Sequence, residues 1–118
     1  MKDLAPEIFR KRLMIEGFFN IKVDEKIIKD FLSSLTEFMS FKTYGEALIH
    51  NTGGIGKQEN QGYDAFVPLI DSGIYLAVWS GHKFLSLIIY TCKDFDDKKA
   101  IDYTRDFFTI HEISFLSF

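Results

Sequence analysis

Residues 12–19 are crowded with Leu, Met, Ile and Phe and alternate poorly, which predicts a buried strand. The period then changes. Asp24 is placed to accept a bond from a free backbone N–H of a helical first turn, and Ile27, Ile28, Phe31, Leu32, Leu35, Phe38 and Met39 follow at steps of three and four. That stripe is the clearest amphipathic helix in the chain. A strand is predicted near 42–50. It leads into a run of glycines and amides over 51–62 that reads as a loop, one that would overhang a site. Three strands follow closely, at about 63–71, 73–79 and 84–92, the last two joined by a tight turn at Ser80-Gly81-His82-Lys83. Pro68 cannot donate to a ladder and so points to an edge or an irregularity. Asp96 or Asp97 opens a second helix in which Ala100, Thr104, Phe107 and Phe108 share a face, and 110–118 reads as a last strand. Strands outnumber helices, and two helices need one sheet face to cover. The expected fold is α+β, a two-layer sandwich of an antiparallel β-sheet with both helices packed on one face.

Composition narrows the picture. A length of 118 residues fits a single domain over 1–118. The chain is 47% hydrophobic and 16% aromatic with thirteen Phe, enough for a real core with aromatics left over for a subunit interface. Its net charge of −3 argues against a nucleic-acid surface, which needs clustered Lys and Arg, and the run Arg10-Lys11-Arg12 is too short to change that. One cysteine, Cys92, excludes an internal disulfide framework and fits a reducing compartment. No apolar run approaches the length of a membrane span, so a soluble cytoplasmic protein without a membrane partner is expected. His50, His82 and His111 follow no metal-ligand spacing, and no metal is expected. The loop Gly53-Gly54-Ile55-Gly56-Lys57-Gln58 lacks the spacing of a phosphate-binding loop.

The most telling segment is Asp71-Ser72-Gly73-Ile74-Tyr75-Leu76-Ala77-Val78-Trp79, followed by Tyr90-Thr91-Cys92-Lys93-Asp94. It resembles the core of the short prokaryotic S-adenosylmethionine decarboxylases, which runs roughly Glu-Ser-His-(Leu/Ile)-(Ser/Thr)-Ile-His-Thr-Trp and then a strand ending Thr-Cys-Gly-Asp. Trp79 falls seven residues and Cys92 twenty residues after Ser72, both at the family's spacing. Lys99-Ala100-Ile101-Asp102-Tyr103 is similar to the helix that follows, and Leu13-Met14-Ile15-Glu16-Gly17-Phe18-Phe19 is similar to the first strand. The resemblance implies that Ser72 is the precursor of a pyruvoyl group, formed when the serine hydroxyl attacks the preceding carbonyl, that of Asp71, and the resulting ester eliminates. It implies that Cys92 is the proton donor of a decarboxylation in spermidine and polyamine biosynthesis, with the pyruvoyl as electron sink.

The same resemblance marks the departures. The processing histidine falls on Ala77, a second histidine on Gly73, an assisting serine on Asp64 and an acid after the Trp on Gly81. Loss of an acid–base group costs on the order of 10²–10⁴ in rate. Two expectations follow. In one, the chain is a degenerate homologue, a pseudoenzyme that cuts itself poorly and works by binding a small amine or nucleoside ligand, or a partner. In the other it is an active pyruvoyl-dependent decarboxylase of S-adenosylmethionine or of a basic amino acid, a lyase with altered processing residues. A structural dimer module with no ligand is a third reading. The family implies a homodimer, or a heterodimer with an active paralogue. Trp79 and His82 are candidates for lining the ligand pocket. Ser72 read without the family is a turn residue, and Cys92 a small buried hydrophobe. Glu16, Asp64 and Asp71 either meet near the strand ends or sit solvated at them.

Overall fold

The protein is described here from a computed structural model that covers residues 1–54 and 56–118. In chain order it forms β1 (Lys11–Phe18), α1 (Glu25–Phe38), β2 (Leu48–Asn51), a 3-10 turn (Gln58–Asn60), β3 (Gly62–Leu69), β4 (Ser72–Trp79), β5 (Phe84–Thr91), α2 (Asp97–Phe108) and β6 (Glu112–Ser117). The strands make one sheet in the order β2-β3-β4-β5-β1-β6, antiparallel throughout. Both helices lie on the same face, so the architecture is the expected α+β two-layer sandwich.

Alternation along each strand decides which side chains reach the helices. Leu13 and Ile15 of β1, Ala65 and Val67 of β3, Ile74, Leu76 and Val78 of β4, and Leu85, Leu87 and Ile89 of β5 are buried on that side. They meet Ile28, Phe31, Leu32 and Leu35 of α1 and Ala100, Ile101 and Phe108 of α2. Phe31 joins the two helices: its ring centroid lies 4.6 Å from that of Phe108, 5.1 Å from Phe107 and 6.3 Å from Tyr103. Both helices begin on a capping aspartate. Asp24 accepts from the Ile27 N–H at 2.9 Å and Asp96 from the Lys99 N–H at 3.2 Å, satisfying donors that the helices cannot bond internally. Lys11, at the start of β1, reaches the approach to α2: its ammonium lies 2.9 Å from Asp94, and it also pairs with Asp97. Burial disfavours that charge, but the hydrogen bonds to Asp97 and Asp94 outweigh it and hold the ammonium above its ordinary pKa.

Some boundaries differ from the sequence reading. The strand expected over 42–50 is shorter, because residues near Thr43 touch the sheet only through an isolated bridge to Leu69 and pairing proper begins at Leu48. The loop over 51–62 contains the 3-10 turn. Asp71, read as the end of a strand, sits instead in the two-residue β3–β4 turn with φ 62°, a left-handed conformation that Asp tolerates better than most residues. Pro68 has its missing donor on the β2 side of β3, where β2 has already ended; its carbonyl still accepts from the Tyr44 N–H at 3.3 Å. Gly62 is required by a close approach, since a Cβ there would lie 1.8 Å from the Val78 carbonyl oxygen.

With both helices on one face, the other face of the sheet is bare. Phe18, Phe66, Tyr75, Tyr90 and Leu116 are exposed on it, and Met14, Phe84 and Ile88 are only partly buried.

Candidate functional site

Strand register puts part of the motif on this bare face, whereas Ser72 alternates with Ile74, Leu76 and Val78 of the helix side. In β4 the side chains of Tyr75, Ala77 and Trp79 point away from the helices, as those of Ser86, Ile88 and Tyr90 do in β5, and Gly73 is on the same face. Pairing aligns them in rows across the sheet. His50, Asp64, Ala77, Ser86 and Glu16 stand opposite one another in one row, and Leu48, Phe66, Tyr75, Ile88 and Met14 in the next. A polar row therefore runs beside an apolar one, with the smallest side chain, Ala77, in the middle of the polar row.

At one end of this face the β3–β4 turn brings Ser72 and Cys92 together. The Asp71 carbonyl accepts from the Cys92 N–H at 3.1 Å, which ties the end of β5 to the turn. Asp71, Ser72 and Cys92 line one shallow depression of ≈ 460 Å³, walled by Phe66, Tyr75 and Tyr90. Cys92 is exposed rather than buried as a small hydrophobe. A second depression of ≈ 450 Å³ adjoins it, with Ala77 at its floor and Asp64, Lys57, Asn60 and Trp79 around it. Tyr75 and Ile88 belong to both.

Hydrogen bonds fix the walls. The Tyr75 hydroxyl donates to Asp64 at 3.1 Å, the Trp79 indole N–H to Asn60 at 3.0 Å, and the Ser86 hydroxyl to Glu16 at 2.8 Å. Partial burial, with the Asp64 carboxylate beside it, pushes the Tyr75 phenol above its ordinary pKa, so near neutrality it is a donor and not a base. The two depressions together offer an aromatic wall, the carboxylates Asp64 and Asp71 and one lysine, which suits a flat or cationic small molecule.

The sequence-derived candidates divide accordingly. Ser72, Asp71 and Cys92 are brought together, and Trp79, Ala77 and Asp64 line the adjoining depression. Gly81 and His82 lie in the exposed β4–β5 turn, and His82 lines neither depression. The three carboxylates do not meet: Glu16 and Asp64 share a row but Ala77 and Ser86 stand between them, and Asp71 is at the turn. At Gly73 an added Cβ would come within 3.1 Å of the Phe66 ring, so a side chain at 73 requires that ring to shift slightly. Sequence reasoning missed Tyr75 and Phe66; two-residue alternation outward from Ala77 leads to Tyr75, whereas nothing local marks Phe66. Among the described residues no group of three His, Cys, Asp or Glu is placed to hold a metal ion, and no helix is long and apolar enough to cross a membrane.

Residues 18–118 match the S-adenosylmethionine decarboxylase family. The chain belongs to that family. Among solved structures the fold is similar to that of the adenosylmethionine decarboxylase from Aquifex aeolicus VF5, with a TM-score of 0.71 over 94% of this chain and 89% of that chain at 15% sequence identity. No curated protein matches the sequence.

Proposed function

We propose that this S-adenosylmethionine decarboxylase-family protein does not process itself efficiently, and that it binds a small amine or nucleoside ligand of polyamine metabolism on the bare sheet face. The reading rests on one observation: the depression that holds Ser72 and Cys92 contains no imidazole, and Ala77 and Gly73 stand where the family's motif has histidines. This donor set does not fit the formation of a pyruvoyl group at Ser72. Serine attack on the Asp71 carbonyl needs a group that takes and returns a proton near neutrality. Tyr75, a hydroxyl in the wall of that depression, is held as a donor by Asp64. What remains is a binding surface. Trp79 and Tyr75 supply π faces, Asp64 supplies a negative charge, and the adjoining apolar row supplies area for desolvation.

The bare face also has an occupant in this reading. A second copy laid face to face, or an active paralogue, would bury Phe18, Phe66, Tyr75, Phe84 and Ile88 and enclose both depressions. An apolar surface of that extent is uncommon on a lone soluble domain.

Thermal unfolding in the presence of S-adenosylmethionine, its decarboxylated form, arginine, ornithine and spermidine tests the ligand. A ligand held by the folded state at one hundred times its Kd adds about 2.7 kcal/mol of stability. A rise in Tm of several degrees is expected with at least one of the five, and Trp79→Ala should abolish it. An unchanged Tm with all five would contradict ligand binding.

A further inference from the structure

We infer that β6 is a second, independent interaction surface, an edge that pairs with β6 of another copy of the chain in a continuous sheet. This goes beyond the reading of the bare face and does not depend on it. The sheet ends in β2 on one side and β6 on the other. β2 is four residues long, whereas β6 runs six and continues in register to Phe118. Edges of soluble proteins are normally blunted by lysines, prolines or bulges, and β6 has none of these. Half of its sequence, Glu-Ile-Ser-Phe-Leu-Ser, is apolar, with Phe115 57% and Leu116 59% exposed.

The backbone fixes the pairing. Arg12 and Phe118 exchange two hydrogen bonds, at 3.2 and 2.9 Å, so in the alternating antiparallel pattern Leu116, Ser114 and Glu112 also turn their N–H and C=O groups towards β1. The outward groups are therefore those of Ile113, Phe115 and Ser117, and among the described residues nothing accepts or donates to them. These three positions are symmetric about Phe115. An antiparallel copy related by a two-fold axis through Phe115 sets Phe115 opposite itself and Ile113 opposite the partner's Ser117. All three outward donors and acceptors are then satisfied on each strand. Parity is also right: residues that face each other point to the same side, so both helical layers stay on one face of the extended sheet.

Charge agrees with this register. Glu112, which makes no ion pair within its own chain among the described residues, falls opposite the partner's Phe118. The Arg12 guanidinium lies over the Phe118 ring, 5.3 Å from its centroid, and would meet that carboxylate across the ring.

Molar mass by light scattering, with two kinds of variant, tests the pairing. Phe115→Pro removes an outward donor without touching the β1 ladder, a place where an edge strand tolerates proline. It should halve the molar mass of the wild-type assembly while far-UV circular dichroism stays the same. In a Cys92→Ser background, Phe115→Cys should form a disulfide-linked pair under mild oxidation, since directly opposite residues lie about 5.5 Å apart, within disulfide reach. Ile113→Cys should not, because its counterpart is displaced by four residues, roughly 13 Å. A monomeric wild type, an unchanged mass in Phe115→Pro, or equal cross-linking at 113 and 115 would overturn the pairing. A dimer held only by the bare face gives the second of these results, and leaves the ligand reading standing.

Discussion

Phe31→Ala is expected to lower the free energy of unfolding by about 3–5 kcal/mol, the cost of truncating a fully buried phenylalanine whose cavity the surroundings only partly fill. Phe31 is buried to zero exposure and packs at a tilt against three rings of α2, so its loss removes a side chain that joins the two helices over the sheet. Against the 5–15 kcal/mol typical of a whole domain, about that much would leave the protein marginal. Urea unfolding followed by circular dichroism measures it as a fall in midpoint at constant slope. A change below about 1 kcal/mol would mean that α1 and α2 do not share the core described here.

The second large effect concerns position 77. Ala77→His places an imidazole on the bare face between Asp64 and Ser86, in the middle of the polar row. Asp64 would hold the ring and favour its protonated form, and the depression above Ala77 has room for it. If a missing proton carrier is what keeps the Asp71–Ser72 bond whole, its rate of cleavage should rise by on the order of 10²–10⁴. Fragments would then accumulate in the variant over hours to days at neutral pH, and the double variant with Ser72→Ala would stay whole. A folded Ala77→His protein that remains as intact as the wild type would remove Ala77 as the cause. It would direct attention to Gly73 and the Phe66 ring above it.

The elements that carry their own local signals were legible in the sequence. The α1 stripe and its Asp24 cap, the Asp96 start of α2, and the β3–β4–β5 meander all follow from periodicity and turn chemistry, and each lies within a residue or two of its expected place. What depends on distant pairing was not. The sheet order puts β1 between β5 and β6, a non-local choice that no window of sequence encodes, and that choice leaves β6 as a bare edge. β2 is short because its pairing with β3 stops before Pro68. For the site, spacing alone brought Ser72 and Cys92 into one depression, since the β4–β5 hairpin register is set by the turn at 80–83. His82 is near Trp79 in sequence, but it follows that residue into the turn, where the chain leaves the face. Glu16 and Asp64 were expected at strand ends. They lie instead within their strands, kept apart by two intervening strands.

The state of one peptide bond separates a binding protein from a working pyruvoyl enzyme. Intact-mass measurement of the freshly purified chain, repeated after prolonged incubation, reads it directly. A single uncut species of 13.7 kDa is expected at both times. A fragment ending at Asp71 together with one that begins at residue 72 and carries a pyruvoyl end would contradict it.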